Sequence, residues 1–176
     1  MAWLQARNAP RMPEQRLLPG VLLLKAVARA LREYLQLNDF WRGGAFRPAA
    51  GIHLGVAIAL RQGGPIAPAL HAVADKPLAQ LMGELGDLVQ RARSGSLRSS
   101  ELSDASLTVT QLGDQSVDSV LGGSILRRWP WVEGGRLCVM PTVVASLAAD
   151  HRVSDGNYGA RFLAEVRRLL QAPDSL

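Results

Sequence analysis

Cysteine is nearly absent from this chain. Cys138 is the single copy, which excludes an intrachain disulfide and any metal cluster built on thiolates. It lies in an apolar, strand-like run where a small core residue is expected, and one thiol suits a reducing, cytoplasmic setting. Lysine is almost as scarce. Lys25 and Lys76 are the only lysines, so the net charge of +5 rests on scattered arginines. Without a basic run interleaved with aromatics, that charge does not describe a nucleic-acid surface. It fits a background arginine bias, with the alternative that some arginines meet an anionic, phosphate-bearing ligand. Of the 3 histidines, His53 and His71 lack a partner at metal-ligand spacing. Both read as structural or exposed, and no metal site is expected. No apolar run is long enough to cross a bilayer. The stretch Leu17–Leu24 follows Arg7, Arg11 and Arg16 and so imitates a secretory signal. Pro19 and Gly20 break it, and Lys25 falls where a cleavage site should be neutral.

What is present suits one compact domain: 176 residues, 48% of them hydrophobic, with no repeat and no interdomain linker. Residues 1–18 carry polar groups and two prolines without periodicity, which predicts a loose arm before a core at 19–176. From Pro19, Val21, Leu24, Lys25, Ala28, Leu31 and Leu35 recur at helical spacing, with Lys25 expected to snorkel. Asn38 and Gly43-Gly44 end that unit. Ile52 to Leu60 alternates as a strand, Arg61–Pro65 makes a hairpin turn, and Ile66–Val73 gives a second strand. Asp75 and Pro77 predict a capped helix start, and an apolar stripe then runs from Leu78 to about Arg93, stopped by Ser94-Gly95-Ser96. Leu107–Leu112 alternates as a strand ended by Gly113, and Val120–Ile125 is a short apolar piece. Arg136–Ala149 contains Pro141, which suggests an edge strand or bulge. A last helix, about Asn157–Gln171, buries Phe162, Leu163, Val166, Leu169 and Leu170. This order implies an α/β domain with helices packed on a mixed sheet.

The stretch Asp150-His151-Arg152-Val153-Ser154-Asp155-Gly156 carries the chemistry. A histidine between two carboxylates at a strand-to-helix corner is a candidate general base, because an imidazole exchanges protons near neutrality. The bland alternatives stand beside it. A lone histidine there is often a satisfied surface or core group, and Asp155 could cap the helix or pair with Arg152 or Arg161. Thr110 on an alternating strand is ordinary strand composition.

The segment Ser146–Leu163 resembles the active-site signature of the 2-oxo acid dehydrogenase acyltransferases, the E2 core subunits related to chloramphenicol acetyltransferase. Four further blocks follow in the family's order: Val21–Trp41, Leu54–Lys76, Leu78–Leu102, and Leu107-Thr-Val-Thr-Gln-Leu-Gly113, where the family writes Phe-Thr-Ile-Ser-Asn-Leu-Gly. The similarity spans roughly residue 20 to the end. Two departures stand out. A short dissimilar arm replaces the family's first helix and strand, and the loop written Thr-Pro-Ile-Ile-Asn-Pro-Pro is missing after Gly113. No lipoyl or subunit-binding domain is present, and Asp75-Lys76 at a helix start is not a lipoylation hairpin.

The resemblance implies a chloramphenicol acetyltransferase-like two-layer sandwich that forms homotrimers. It implies acyl transfer between coenzyme A and a lipoyl thiol supplied in trans. His151 would be the base, Thr110 the hydroxyl that holds the oxyanion, and Asp155 the residue fixing the corner that aims His151. In the family the histidine and the hydroxyl meet across a subunit interface. The tail Leu169–Leu176 resembles the segment with which family trimers dock into cages, but it ends early, so trimers are expected before cages. The runner-up reading is a catalytically impaired scaffold or assembly subunit that partners other components of such a complex. The chloramphenicol branch is less favoured, because Asp150 stands where those enzymes have a second histidine.

Overall fold

The computed structural model of the protein describes residues 2–60, 64–110 and 127–176. Its chain begins with helix α1, Ala2–Asn8, where the sequence predicts a loose arm. That expectation is corrected by three anchors. Leu4 is buried in the core, the Asn8 carboxamide donates to the Leu17 carbonyl and accepts from its N–H, each at 2.8 Å, and Trp3 Nε1 donates to Asp174 at 2.7 Å. All three partners lie outside the arm's own helix, so a local periodicity search does not register them.

Helix α2, Pro19–Leu31, opens with proline in its first turn, where the missing N–H costs nothing. It buries Val21, Leu24, Ala28 and Leu31 and stops earlier than its periodicity predicts; Leu35 lies in a separate 3-10 turn, Leu35–Leu37. Strands β1, Asp39–Arg42, and β2, Ala45–Pro48, then form an antiparallel hairpin. Gly43 and Gly44 are its two turn residues, both in the left-handed region at φ 60° and 75°. They therefore close a hairpin with positive-φ turn geometry rather than simply ending a helix. Strands β3, Leu54–Val56, and β4, Ile58–Ala59, replace one longer predicted strand; β5, Pro65–Ile66, and β6, Ala69–Leu70, replace the second. Pairing of Ile58 with Ile66 and Ala59 with Pro65 bears out the hairpin connection.

Helix α3, Leu78–Ser94, ends at Gly95, whose φ of 72° is the left-handed stop that Ser94-Gly95-Ser96 predicts. Its start departs from expectation. Pro77 occupies the cap position with no side-chain cap, and Asp75 instead accepts a hydrogen bond from Arg32 at 2.5 Å. A short helix α4, Ser99–Ser103, leads into β7, Leu107–Val109. A mixed sheet forms in the order β6-β3-β7, with β3 antiparallel to β6 and parallel to β7. Gly55 is required in that sheet, because a Cβ there would stand 2.9 Å from the Thr108 hydroxyl. The sequence-predicted end of this strand at Gly113 and the apolar piece Val120–Ile125 lie outside the described residues.

Strands β8, Arg127–Glu133, and β9, Arg136–Thr142, form a second hairpin closed by Gly134-Gly135, again at positive φ. Pro141 sits in β9 opposite Arg128, and among the described strands β9 pairs with β8 alone, which leaves it an edge that tolerates proline. Cys138 belongs to this ribbon and is half-buried, which corrects the core position expected of it. Helix α5, Gly156–Gln171, packs on α2 and buries Phe162, Val166 and Leu169, leaving Leu163 and Leu170 half-buried. The result is helices α2, α3 and α5 around one core against a small mixed sheet.

Lys25 corrects another expectation. It does not snorkel; it is 4% exposed, and its Nζ donates to the carbonyls of Lys76 at 2.6 Å, Ala74 at 3.0 Å and Val73 at 3.4 Å. The segment between β6 and α3 turns its carbonyls inward, and the ammonium is their donor. Glu101 is the buried acidic counterpart. It accepts from Arg91 of α3 at 2.5 Å and from the Arg98 N–H at 2.8 Å, tying α4 to α3. Arg91's hydrogen bond holds the Glu101 carboxyl below its ordinary value against the opposing effect of burial. A carboxylate lowered on folding contributes stability above its unfolded pKa, and that contribution disappears as pH falls through the folded value. Glu101→Gln is therefore expected to cost about 1–2 kcal/mol at pH 7 and less in acid, where the native carboxylate is itself protonated. Urea midpoints at the two pH values measure this; an equal cost at both would refute it.

Candidate active site

The corner before α5 is built around Asp150. Its carbonyl accepts from the N–H groups of Val153 and Ser154, both at 3.2 Å, and its carboxylate accepts from the Arg152 N–H at 3.0 Å. The Arg152 guanidinium also forks onto that carboxylate, with Nε 2.9 Å from each oxygen. These bonds draw the Asp150 carboxyl down to about 2. His151 is thus flanked by two residues bound to each other, and its own side chain is exposed. Among the described residues no group hydrogen-bonds the His151 ring.

Asp155 is the N-cap of α5, accepting from the Tyr158 N–H at 2.7 Å. Of the roles open to it on sequence grounds, the cap is the one present, and its contact is to the helix start rather than to His151. Beside the histidine lies an open cleft of roughly 320 Å³ lined by Gln36, His151, Val153, Ser154, Asp155 and Tyr158. The sequence reading missed Gln36 and Tyr158. Tyr158 lies in the first turn of α5 and packs edge-on to Tyr34, with ring centroids 5.2 Å apart. Only the spacing from Asp155 pointed to it.

Thr110 follows β7 at the edge of the mixed sheet, half-buried. It is not among the residues lining the His151 cleft of its own chain. The other two histidines do meet: their rings lie 4.9 Å apart, His71 Nε2 is 3.1 Å from Asp104, and His53 Nδ1 accepts from the Ala72 N–H at 3.1 Å. Ala72 there adopts φ 49°, and the His53 bond supports that strained turn. One nitrogen of each ring is thus engaged in structure. No metal-binding group of histidine, cysteine and carboxylate side chains forms among the described residues. Nor is any described helix long and apolar enough to cross a membrane.

Residues 2–176 match the family model of the 2-oxoacid dehydrogenases acyltransferase catalytic domain, reaching further toward the N-terminus than the resemblance seen in the sequence. The dihydrolipoyllysine-residue acetyltransferase component of the pyruvate dehydrogenase complex of Rickettsia bellii is 26% identical over 162 residues, 86% of this chain and 38% of that protein. The chain thus spans about two fifths of the length of the curated relatives it matches. Among solved structures, the dihydrolipoamide acetyltransferase of Azotobacter vinelandii superposes with a TM-score of 0.84 at 27% identity, covering 96% of this chain and 75% of that one. That enzyme was investigated for the role in its catalytic mechanism of a serine, a histidine and, four residues after the histidine, an asparagine. A chloramphenicol acetyltransferase shares the fold, with a TM-score of 0.50 at 17% identity over 96% of this chain and 82% of that one.

Proposed function

The chain belongs to the 2-oxoacid dehydrogenase acyltransferase catalytic-domain family, and on that premise we propose that it exchanges an acyl group between coenzyme A and a dihydrolipoyl thiol, with His151 as general base. The observation that carries this reading is the exposed imidazole, unengaged among the described residues, on a corner where the side chains of Asp150, Arg152, Ser154 and Asp155 are all hydrogen-bonded. The spacing supports it as well. The A. vinelandii enzyme's histidine and the asparagine four positions on correspond in spacing to His151 and Asp155.

The reaction places distinct demands on each residue. The imidazole takes the proton of the attacking thiol, and the thiolate adds to the thioester carbonyl. The Thr110 hydroxyl donates to the resulting oxyanion. Collapse breaks the original carbon–sulfur bond, and the departing thiolate takes the proton back from the imidazolium. Asp155 fixes where α5 begins and so where the corner points. Coenzyme A and the lipoyl group are substrates, and other components of a 2-oxo acid dehydrogenase complex are the natural source of the latter.

Assembly as a homotrimer is part of the proposal, because Thr110 and His151 then meet across an interface. The β8–β9 ribbon supports it. Trp129 and Trp131 are 52% and 46% exposed on one face, and Val132, Leu137 and Val139 are 65%, 77% and 65% exposed on the other. A two-stranded ribbon is marginal alone, and one apolar on both faces suits a surface that another chain covers. Complementation tests the shared site. Mixed trimers of His151→Ala and Thr110→Ala chains are expected to recover up to about one quarter of wild-type exchange between acetyl-CoA and dihydrolipoamide, since that share of random interfaces pairs two intact residues. Each variant alone stays inactive; no recovery on mixing would remove the shared site.

A further inference from the structure

We propose that Trp41 and Arg152 form a clamp that positions His151, a role that rests on the reading of His151 as the base. Arg152 is fixed from two sides. Its guanidinium forks onto Asp150, and it lies over the Trp41 ring with its carbon 4.2 Å from the ring centroid. Asp150 and Arg152 are the residues immediately before and after His151. A bond between their side chains therefore closes a short ring of chain with the histidine inside it. The turn bonds from Val153 and Ser154 to the Asp150 carbonyl fix the same segment from the following side.

Local bonds alone leave this corner free to swing as a unit on the surface. Trp41 removes that freedom, because it belongs to β1 and is held in register opposite Phe46 by the β1–β2 hairpin. Asp39 lies two residues earlier on the same strand face as Trp41. Its carboxyl is pushed above its ordinary value by burial and by the nearby Asp150 charge, and one of its oxygens is buried with no partner among the described residues. Asp39 and Trp41 together thus bracket the Asp150–Arg152 unit: an indole face attracts the cation, while a second acidic group discourages Asp150 from sliding toward β1. The planar guanidinium is the residue type that can fork onto a carboxylate and stack on a ring at once. The proposed consequence is one presentation of the imidazole, an orientation that no hydrogen bond to the ring supplies among the described residues.

Two readouts on the intact chain test this: kcat and KM for acyl exchange, and the imidazole NMR signals of His151, assigned by their loss in His151→Ala. Arg152→Met and Trp41→Leu are expected to lower kcat by roughly 10–100-fold with KM within about twofold, as displacement of a reacting group does. The His151 signals shift and broaden in both. Trp41→Phe keeps most of the rate because it keeps a ring face, while Arg152→Lys does not rescue, since an ammonium cannot fork and stack. A change in only one of the two readouts, or in neither, overturns the clamp. If wild type and His151→Ala turn over equally slowly, the catalytic reading fails by itself. The NMR comparison then decides the clamp alone: shifted signals in Arg152→Met sustain it and unchanged signals overturn it.

Discussion

His151→Ala is expected to lower acetyl exchange between acetyl-CoA and dihydrolipoamide by about 10²–10⁴-fold, the range over which a positioned acid–base group contributes. The same variant should leave the urea midpoint almost unmoved, within about 0.5 kcal/mol, because the side chain is exposed and makes no hydrogen bond among the described residues. That dissociation separates a catalytic histidine from a structural one. His71, whose ring nitrogen engages Asp104, provides the contrast: its loss should register in stability. Thr110→Ala is expected to reduce kcat by about 10²–10³-fold, the usual cost of one oxyanion donor. Steady-state rates with both thiols varied, alongside equilibrium unfolding of the same preparations, measure all of this. Equal rates in wild type and His151→Ala would end the transferase reading and leave a scaffold subunit.

Lys25→Met should be among the most damaging single changes to the fold that preserve side-chain volume. Methionine keeps the length of the stem but removes the donor from the Lys76, Ala74 and Val73 carbonyls. Ala74 retains a bond from Arg32 at 3.2 Å, so the loss falls mainly on Lys76 and Val73. At about 1–3 kcal/mol for each buried acceptor left unsatisfied, the expected cost is roughly 3 kcal/mol. A partial offset exists. Burial, followed by the Arg29 and Arg32 charges, lowers the Lys25 pKa, so the ammonium is itself under strain and its removal relieves some repulsion. In a domain of this size about 3 kcal/mol corresponds to a fall in Tm of roughly 6–12 °C, and the offset moves the expected shift toward the lower end. A midpoint that moves with an unchanged m-value would show lost stability rather than a looser unfolded state. A shift below about 1 kcal/mol would show that the carbonyls find other donors.

These two predictions rest on different amounts of sequence information. His151 was legible because the signal is local: a histidine with acidic neighbours, then a capping Asp155 and glycine, fits within one turn of chain. Lys25 was legible only as a member of a helical face. Its three carbonyl partners lie some fifty positions on, and nothing in a helical repeat distinguishes a buried ammonium from one that reaches solvent. Asp75 fails for the converse reason. Its place ahead of Lys76-Pro77 satisfies the local rule for a cap, yet the guanidinium of Arg32, just past the end of α2, claims the carboxylate.

The β1–β2 hairpin and strand β8 were passed over, and β9 was read only as an edge strand or bulge, although each hairpin carries the Gly-Gly pair that closes such turns. Residues flanking the second pair do not alternate between apolar and polar, because the β8–β9 ribbon exposes apolar side chains on both faces. A pattern search that assumes one wet face registers such a ribbon poorly.

The amino-acid order by itself determined helices α2, α3 and α5, the glycine stop of α3 and the corner that carries His151. Each depends on contacts within a few residues or on a repeat of 3.6, which the chain writes out directly. Tertiary structure alone decided that the Lys25 ammonium is buried, that Trp41 seats Arg152, and that α1 joins the core beside the C-terminal turn. Those outcomes depend on which distant groups reach the same few ångströms, and a linear sequence carries no record of that distance until its packed layers bring the groups together.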